Sequence, residues 1–348
     1  MIIIIKINSF RKAFSMKKSV PALLTAFFLG VNIAAAYADE LVVYSARKEH
    51  LIKPLFDMYT TKTGVQVKYV TGKAGALLER LKAEGSNTPA DLFITVDAGN
   101  LWKAAKEVVL QPVESEVLKK NVPSHLRDPQ NRWFGLSVRA RTIVYNKDRV
   151  SPSDLDSYSS LGEPRWKGRL LLRTSKKVYN QSLVASLIAE KGETASEKVV
   201  SSWVANLPVA PFSSDTKALE AVMAGVGDVT VVNTYYLGRL LKKNSDIPLA
   251  IFWPNQNGTG VHMNVSGAGV TKHAKHRDQA VKLLEWLSSD EAQGTFASLN
   301  LEYAVNSSVK PDPLVAAWGE FKGNPINVAK YGEYQAQAIK LMDRVGYK

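Results

Sequence analysis

The sequence contains no cysteine, so it can form neither a disulfide nor a thiolate metal site. A metal ion would have to be bound by oxygen or nitrogen donors, which favours hard cations. Five histidines are present, but none has zinc-site spacing to another strong ligand. His273 and His276 are three residues apart, yet Lys272, Lys275 and Arg277 surround them with positive charge, which argues against a metal site there.

The motifs of several enzyme classes are also missing. The chain has no Gly-x-Ser-x-Gly motif, no Walker loop and no dinucleotide fingerprint. An exported hydrolase would need an activated nucleophile and a base, and no such Ser–His arrangement is legible in the sequence. We therefore expect a protein that is not an enzyme.

Long apolar runs are absent from the body of the chain, where none reaches the roughly 18 residues of a membrane span. The N-terminus is different: Met16 to Lys18 is basic, 21–33 is apolar, and Ala36-Tyr37-Ala38 is a small-x-small pattern. This arrangement is typical of a secretory signal peptide, residues 1–38, cleaved before Asp39. A start codon assigned too early explains the first fifteen residues, and a retained membrane anchor is the alternative.

Acidic residues are fewer than basic ones, and the formal net charge is +13. Five basic residues and no acidic ones lie in 1–38, so the remaining chain carries +8 of this charge. A positive charge favours anionic partners. The basic residues are spread along the chain without any nucleic-acid motif, so nucleic acid is not an expected partner.

Apolar runs alternate with amphipathic segments along the body of the chain. In its first part, strands are predicted at 41–44, 65–70 and 91–96, and helices at 47–61, 74–84 and 100–109. Further strands are predicted at 136–145, 170–172, 228–232, 249–253 and 265–270, and further helices at 178–191, 215–224, 235–241, 280–287 and 334–345. Asp215 is expected to cap the helix that it begins. Strands separated by helices of this length predict an α/β fold with parallel pairing, arranged as two lobes that strands connect.

Ligands of open α/β sheets bind beyond the carboxyl ends of the strands. Four such segments carry polar residues, and they are 44–47, 95–97, 174–179 and 233–236. In the last of these, Tyr235 and Tyr236 are neighbours about 100° apart on a helix, so one could be core and the other surface. At a helix N-terminus, both hydroxyls could instead converge on a cleft.

Two further patterns suggest an anion. Thr174 to Tyr179 could be a solvated, capped helix start, or a helix N-terminus that attracts an anion with the help of its two lysines. Arg139 and Arg141 alternate on one strand face, where they need either partner carboxylates or a bound anion. Arg47 could join them.

Together these segments resemble the iron(III)-binding periplasmic proteins of bacterial ABC importers, the bacterial transferrins. The tyrosine pair after a strand and the Trp-Lys-Gly-Arg sequence at 166–169 make the resemblance specific. The matching stretches run in family order, and they are 42–47, 89–93, 135–141, 164–169, 174–180, 233–236 and 266–269.

The resemblance implies a type II periplasmic binding protein, with two α/β lobes of mostly parallel sheets flanked by helices and a ligand cleft between the lobes. Lobe 1 would comprise 39–138 with 262–310, and lobe 2 would comprise 139–261 with 311–348. The protein is expected to be a periplasmic monomer that delivers its ligand to an ABC-type permease in the inner membrane.

The resemblance also implies the site. Tyr235 and Tyr236 match the family's tyrosine pair, and Tyr179 matches a third tyrosine of one subgroup. Phenolate is a hard oxygen donor suited to Fe(III), although a free tyrosine has a pKa near about 10. The arginines and Lys177 could assist the phenolates in the unloaded state. Carbonate or a similar synergistic anion would be held by Arg47 and Arg139, with lesser roles for Arg141 and Ser175.

The sequence departs from one branch of this family. Many members carry a histidine or tyrosine where Lys48 and Glu49 stand, and some carry a glutamate where Val96 stands. We therefore expect no side-chain ligand from the first lobe. Some residues stay as secondary candidates, and they are Tyr44, Glu49, His50, Asp97 and Asn233. The alternative function is a binding protein of the same fold for a small organic or oxyanion solute.

Overall fold

The computed structural model describes residues 40–348, so the predicted signal peptide and its cleavage site lie outside the described residues. The strands in this range are β1 (Glu40–Ser45), β2 (Gln66–Thr71), β3 (Leu92–Val96), β4 (Phe134–Asn146), β5 (Leu170–Leu171), β6 (Val229–Asn233), β7 (Leu249–Phe252), β8 (Met263–Val270) and β9 (Tyr303–Ala304). The α-helices are α1 (Glu49–Thr63), α2 (Ala74–Glu84), α3 (Ala98–Lys106), α4 (Glu116–Asn121), α5 (Val178–Lys191), α6 (Glu193–Ala205), α7 (Asp215–Met223), α8 (Thr234–Lys243), α9 (Arg277–Leu287), α10 (Asp290–Asn300), α11 (Pro313–Ala316), α12 (Ala329–Glu333) and α13 (Gln335–Arg344).

Local sequence signals account for several of these boundaries. Helices α2 and α5 begin and end at the predicted residues, and α1 ends at Gly64, whose φ of 78° suits glycine. The predicted cap of α7 is wrong. Ser214 is the cap, because its Oγ accepts a hydrogen bond from the backbone N of Lys217, while Asp215 is buried.

The strands form one mixed sheet in the order β2-β1-β3-β8-β4-β6-β5, with β7 and β9 also paired to β4. Strands β1, β2 and β3 pair in parallel, as predicted, and so do β5 and β6. Strands β4 and β8 run antiparallel to their neighbours, so the sheet as a whole is mixed rather than mostly parallel.

Strand β4 connects the two ends of this sheet. All 13 of its residues are buried, which explains why its sequence reads as a long, largely apolar run. It pairs with β8 as far as Ala140 and with β6 from Arg141 onward. We call the strands on the β8 side the first half-sheet (β1, β2, β3, β8) and those on the β6 side the second half-sheet (β5, β6, β7). The predicted lobe boundary after 138 falls near this crossing and stays a prediction.

Only the tryptophan of the Trp-Lys-Gly-Arg sequence lies in the core, whereas Lys167 and Gly168 are exposed. Trp166 is buried, and Gly168 has a φ of 74°. Arg169 stacks on the Trp166 ring and forms an ion pair of 2.5 Å with Asp228. The contacts of Trp166 and Arg169 therefore stabilise the fold, and neither residue lines the cavity described below. No helix in 40–348 is long and apolar enough to cross a membrane.

Candidate functional site

A cavity of about 370 Å³ brings together residues that follow strands of both half-sheets, such as Arg47 after β1 and Tyr235 after β6. Residues at the N-terminal ends of α1, α5 and α8 contribute to its lining, as expected for a site beyond strand ends. Its lining includes three tyrosines, five cations and one carboxylate, and these are Tyr179, Tyr235, Tyr236, Arg47, Lys48, Arg139, Lys177, Arg239 and Glu302.

The three predicted tyrosines do meet in this cavity. Tyr179 is the second residue of α5, whereas Tyr235 and Tyr236 lie in the first turn of α8, directly after β6. The rings of Tyr235 and Tyr236 are 4.5 Å apart between centroids. Tyr235 and Tyr179 are buried, and Tyr236 is half-buried. Tyr235 and Tyr236, although neighbours on a helix, thus both line the cavity, because the first turn of α8 borders it.

The electrostatic setting keeps two of these phenols protonated when no metal is present. Burial raises the pKa of Tyr179, and Arg139 only partly offsets this. Burial also raises the pKa of Tyr235 well above its ordinary value, and the neighbouring Tyr179 and Tyr236 add to the effect. Arg139 acts in the direction expected from the sequence, but desolvation outweighs it. A metal would have to displace these protons.

Cations surround the Tyr179 ring. The Arg139 guanidinium carbon lies 5.5 Å from the ring centroid, that of Arg173 lies 5.6 Å away, and the Lys177 Nζ lies 4.7 Å away. Burial and the charge of Arg173 lower the pKa of Lys177. This part of the cavity is therefore strongly electropositive.

Arg139 has unused donor capacity inside the cavity. It is only 2% exposed. Its Nη1 donates a hydrogen bond of 3.0 Å to Ser266 Oγ, whereas its Nη2 is buried without any partner. An unpaired buried guanidinium nitrogen is costly, so this atom is suited to donate to a bound anion.

Arg47 is more fully engaged. Its Nη1 donates to Ser266 Oγ (2.8 Å), Ser137 Oγ (3.2 Å) and Glu302 Oε2 (3.1 Å). Its Nη2 also donates to Glu302 Oε2, at 3.2 Å. Arg47 lines the cavity, but its terminal nitrogens already bind protein partners, and its predicted role in anion binding stays a prediction.

The predicted anion role of Arg141 finds no support in its position. Its guanidinium is bound to Asp215 at 3.2 and 3.4 Å, to Asn180 Oδ1 at 2.6 Å and to Asn233 Oδ1 at 3.1 Å. Its two terminal nitrogens are thus taken up by protein groups outside the cavity lining, so Arg141 is an ion-pair residue. Asn233 lies outside the cavity lining. Its Nδ2 donates a hydrogen bond of 3.2 Å to the Tyr235 hydroxyl, and this contact orients the tyrosine.

The other secondary candidates lie outside the lining of this cavity. The Tyr44 hydroxyl donates to Glu84 at 2.8 Å, and the exposed Glu49 accepts from the Tyr69 hydroxyl. His50 is exposed. Asp97 is fully buried and accepts from Ser182, Asn264 and a backbone N–H, which commits its carboxylate to the fold. Ser175, a predicted anion ligand, also lies outside the lining. Its backbone N–H donates a hydrogen bond of 3.0 Å to the backbone O of Lys348.

Several cavity residues had no local signal in the sequence. Glu302 and Asn300 enter the cavity from the end of α10, more than 250 residues away from Arg47 in the chain. Arg239 stacks on both neighbouring tyrosines, 4.9 Å from the Tyr235 centroid and 5.7 Å from that of Tyr236. Its spacing of four residues from Tyr235 was the one available clue.

Other kinds of site find little support. Among residues 40–348, no group of three or more His, Cys, Asp or Glu side chains is positioned to hold a metal ion. His262 Nδ1 lies 3.1 Å from Ser186 Oγ, but both residues are at most 2% exposed. This pair has no access for a hydrolytic substrate.

Comparisons with known proteins agree on one kind of protein. Residues 45–294 match the family model described as bacterial extracellular solute-binding protein. The chain is 44% identical to iron uptake protein A1 of Synechocystis over 89% of this chain and 88% of the relative. A structure of the Trichodesmium protein IdiA (FutA) with iron and citrate has a TM-score of 0.86 at 44% identity, over 89% of this chain and all of that one. The open ferric iron-binding protein A of Mannheimia haemolytica has a TM-score of 0.83 at 34% identity, over 89% and 99% of the two chains. The fold is that of the type II periplasmic binding proteins.

Proposed function

The chain belongs to the bacterial extracellular solute-binding protein family, and from this premise we propose that its solute is ferric iron. In this proposal the protein binds Fe(III) through Tyr179, Tyr235 and Tyr236, together with a synergistic anion. It then delivers the iron to an ABC-type permease of the inner membrane. The N-terminal residues 1–38 would direct its export to the periplasm.

One observation carries this proposal: three tyrosine side chains line a single cavity. Fe(III) is a hard cation, and phenolate is a hard donor that matches it. Binding would convert neutral phenols into three anions and so compensate the charge of the ion. The names of the similar Synechocystis and Mannheimia proteins agree with iron as the solute.

The anion is assigned to Arg139. Its unpartnered, buried Nη2 offers a donor within the cavity, and a guanidinium suits a planar oxyanion such as carbonate. Lys48 contributes only positive charge at the cavity edge, and Glu49 lies outside the lining. No tyrosine or histidine of the first half-sheet lines the cavity, and in this proposal an anion completes the coordination of the metal.

The cation excess of the cavity also favours a second candidate, a small oxyanion or organic anion as the solute itself. Five cations line the cavity against one carboxylate, which is a suitable setting for an anion without any metal. The two candidates differ in what the tyrosines do, because only iron requires them to lose their protons.

A visible spectrum decides between them. Purified protein titrated with ferric citrate should develop a phenolate-to-iron charge-transfer band. Tyr235→Phe and Tyr236→Phe should shift or bleach that band and weaken binding sharply, since each keeps the ring and removes one donor. Tyr145→Phe is the matched control, because Tyr145 is buried in β4 and lies outside the cavity lining.

An unchanged band in the Tyr235→Phe/Tyr236→Phe double variant would refute the ligand assignment. Absence of any band in the wild type, combined with a rise in melting temperature on adding an oxyanion alone, would favour the second candidate.

A further inference from the structure

The cavity contains a carboxylate that the ligand assignment does not use. Glu302 is 2% exposed and follows α10. Its Oε2 accepts from both terminal nitrogens of Arg47 and, at 2.6 Å, from Ser137 Oγ. Its Oε1 accepts from Asn300 Nδ2 at 2.7 Å. Every oxygen of this carboxylate is therefore held by a donor.

The charge on Glu302 is secured by these partners. Burial by itself would raise the pKa of the Glu302 carboxyl, but Arg47 and Arg139, with hydrogen bonds from Ser137 and Asn300, hold it below its ordinary value. Glu302 is thus an anion at neutral pH, paired with Arg47 and also stabilised by the charge of Arg139.

The two arginines are linked but unequal. Ser266 Oγ accepts from Arg47 at 2.8 Å and from Arg139 at 3.0 Å, so the guanidinium groups share one neighbour. Glu302 occupies both terminal nitrogens of Arg47, whereas the Nη2 of Arg139 is free. Two arginines this close could bind two oxyanions, and the internal carboxylate takes the place of one.

We propose that Glu302 is a built-in counter-anion: it occupies the anion position at Arg47 and confines exogenous oxyanion to a single place at Arg139. Glu302 is then a positioning residue that determines how many anions accompany the metal. The inference rests on the proposed function for the role of that anion, but the anion sites themselves can be tested without iron.

The same contacts connect Glu302 to the tyrosines. Asn300 donates to Glu302 and accepts a hydrogen bond from Arg239 Nη2. Arg239 in turn stacks on Tyr235 and Tyr236. The carboxylate therefore fixes Arg47 on one side and, through Asn300, supports the cation beside the tyrosine pair on the other.

The test is Glu302→Gln, which keeps the size of the side chain and removes its charge. Arg47 is then a buried cation without a counter-charge, and breaking a buried pair in this way is strongly destabilising. Bicarbonate that binds in the cavity beside Arg47 can supply the missing negative charge, so iron-free Glu302→Gln should melt below the wild type in bicarbonate-free buffer. Its melting temperature should then rise with bicarbonate about two-fold more than that of the wild type, with sodium chloride at equal ionic strength as the blank.

Three variants make the result specific. Glu84→Gln is the matched control, because Glu84 is a part-buried carboxylate paired with Arg80 and bonded to Tyr44, away from the cavity. It should lose stability without any extra response to bicarbonate. Glu302→Asp keeps the charge and should respond as the wild type does. Arg47→Met combined with Glu302→Gln removes both partners, so the extra response should disappear.

The inference is overturned if Glu302→Gln responds to bicarbonate no more than the wild type or Glu84→Gln does, or if the double variant keeps the extra response. If Glu302→Gln does not fold in bicarbonate-free buffer, its refolding yield with and without bicarbonate gives the same comparison, and equal yields overturn it. Because no iron is present, a failed iron titration leaves this result standing, and a failed bicarbonate response leaves the phenolate assignment standing.

Discussion

Iron binding through three phenols must release protons, and the number released follows from the site. Burial raises the pKa of Tyr179 and of Tyr235 in the metal-free protein, so both carry protons at pH 7. A metal ligand must be deprotonated, and three phenol donors therefore release about three protons per iron. At fixed ferric ion activity, each proton changes the binding free energy by about 1.36 kcal/mol per pH unit. The affinity should thus rise by roughly 4 kcal/mol, or about a thousand-fold, for each unit of pH.

Removing one donor reduces this number by one. Tyr235→Phe should release about two protons per iron, and the logarithm of its affinity should rise with a slope near 2 instead of 3. Tyr145→Phe, outside the cavity lining, should keep the wild-type count. The expected direction is that iron leaves the protein as pH falls, because protons compete for the phenolates.

A bound anion should add one more proton to the number released on iron binding, and this proton can be distinguished from those of the phenols. If bicarbonate binds at Arg139 as carbonate, it loses about one proton, so the count in bicarbonate buffer should exceed that in bicarbonate-free buffer. Arg139→Met should abolish this difference and leave the phenol protons unchanged.

Isothermal titration calorimetry in two buffers of different ionisation enthalpy measures the count. Ferric nitrilotriacetate is the donor, and its own proton uptake is subtracted from a blank titration. A wild-type count near zero would refute phenolate ligation. An equal count in wild type and Tyr235→Phe would remove Tyr235 from the ligand set.

Two further predictions concern the stability of the iron-free protein. Burial lowers the pKa of His262 in the folded protein to about 3. The unfolded chain, in contrast, binds a proton at this histidine from about pH 6.5 downward. The free energy of unfolding should therefore fall as pH decreases from about 6.5 to about 3, by up to roughly 1.4 kcal/mol per pH unit. His262→Gln should show a shallower decline in urea unfolding, and an equal decline would contradict this. Asp215→Asn leaves Arg141 and Arg173 as buried cations without their shared carboxylate, so it should cost about 3–5 kcal/mol in the same assay; a loss below about 1 kcal/mol would show that their other hydrogen bonds suffice.

The sequence supported predictions that depend on neighbouring residues. Periodicity located α2 and α5 to the residue, because helical amphipathicity and a following glycine are local signals. The position of Tyr235 after a buried strand predicted its place at a strand end, and the family resemblance supplied its partner Tyr179. Cavity residues close to strand ends were therefore accessible to sequence reasoning.

Contacts between distant segments could not be predicted in this way. The sequence predicts Asp215 as the cap of α7, since a helix-starting aspartate is a frequent cap, but its carboxylate pairs with Arg141 and Arg173. The alternation of Arg139 and Arg141 predicted a shared strand face, yet only Arg139 lines the cavity. Which arginine meets a carboxylate and which is left free depends on the tertiary fold.

A cavity lined by five cations is at first sight a poor place for a trivalent cation. The difficulty disappears when the phenols are counted, because three phenolates would neutralise the ion and leave the cationic walls to hold an anion. The same reasoning bears on selectivity. Burial makes Tyr179 and Tyr235 costly to deprotonate, so only an ion that stabilises phenolate strongly can recover this cost. A divalent ion interacts with each phenolate less strongly than a trivalent one does, and it would leave one of the three phenolate charges without a matching metal charge. In the proposed site, the raised pKa values of Tyr179 and Tyr235 would therefore favour Fe(III) over divalent ions.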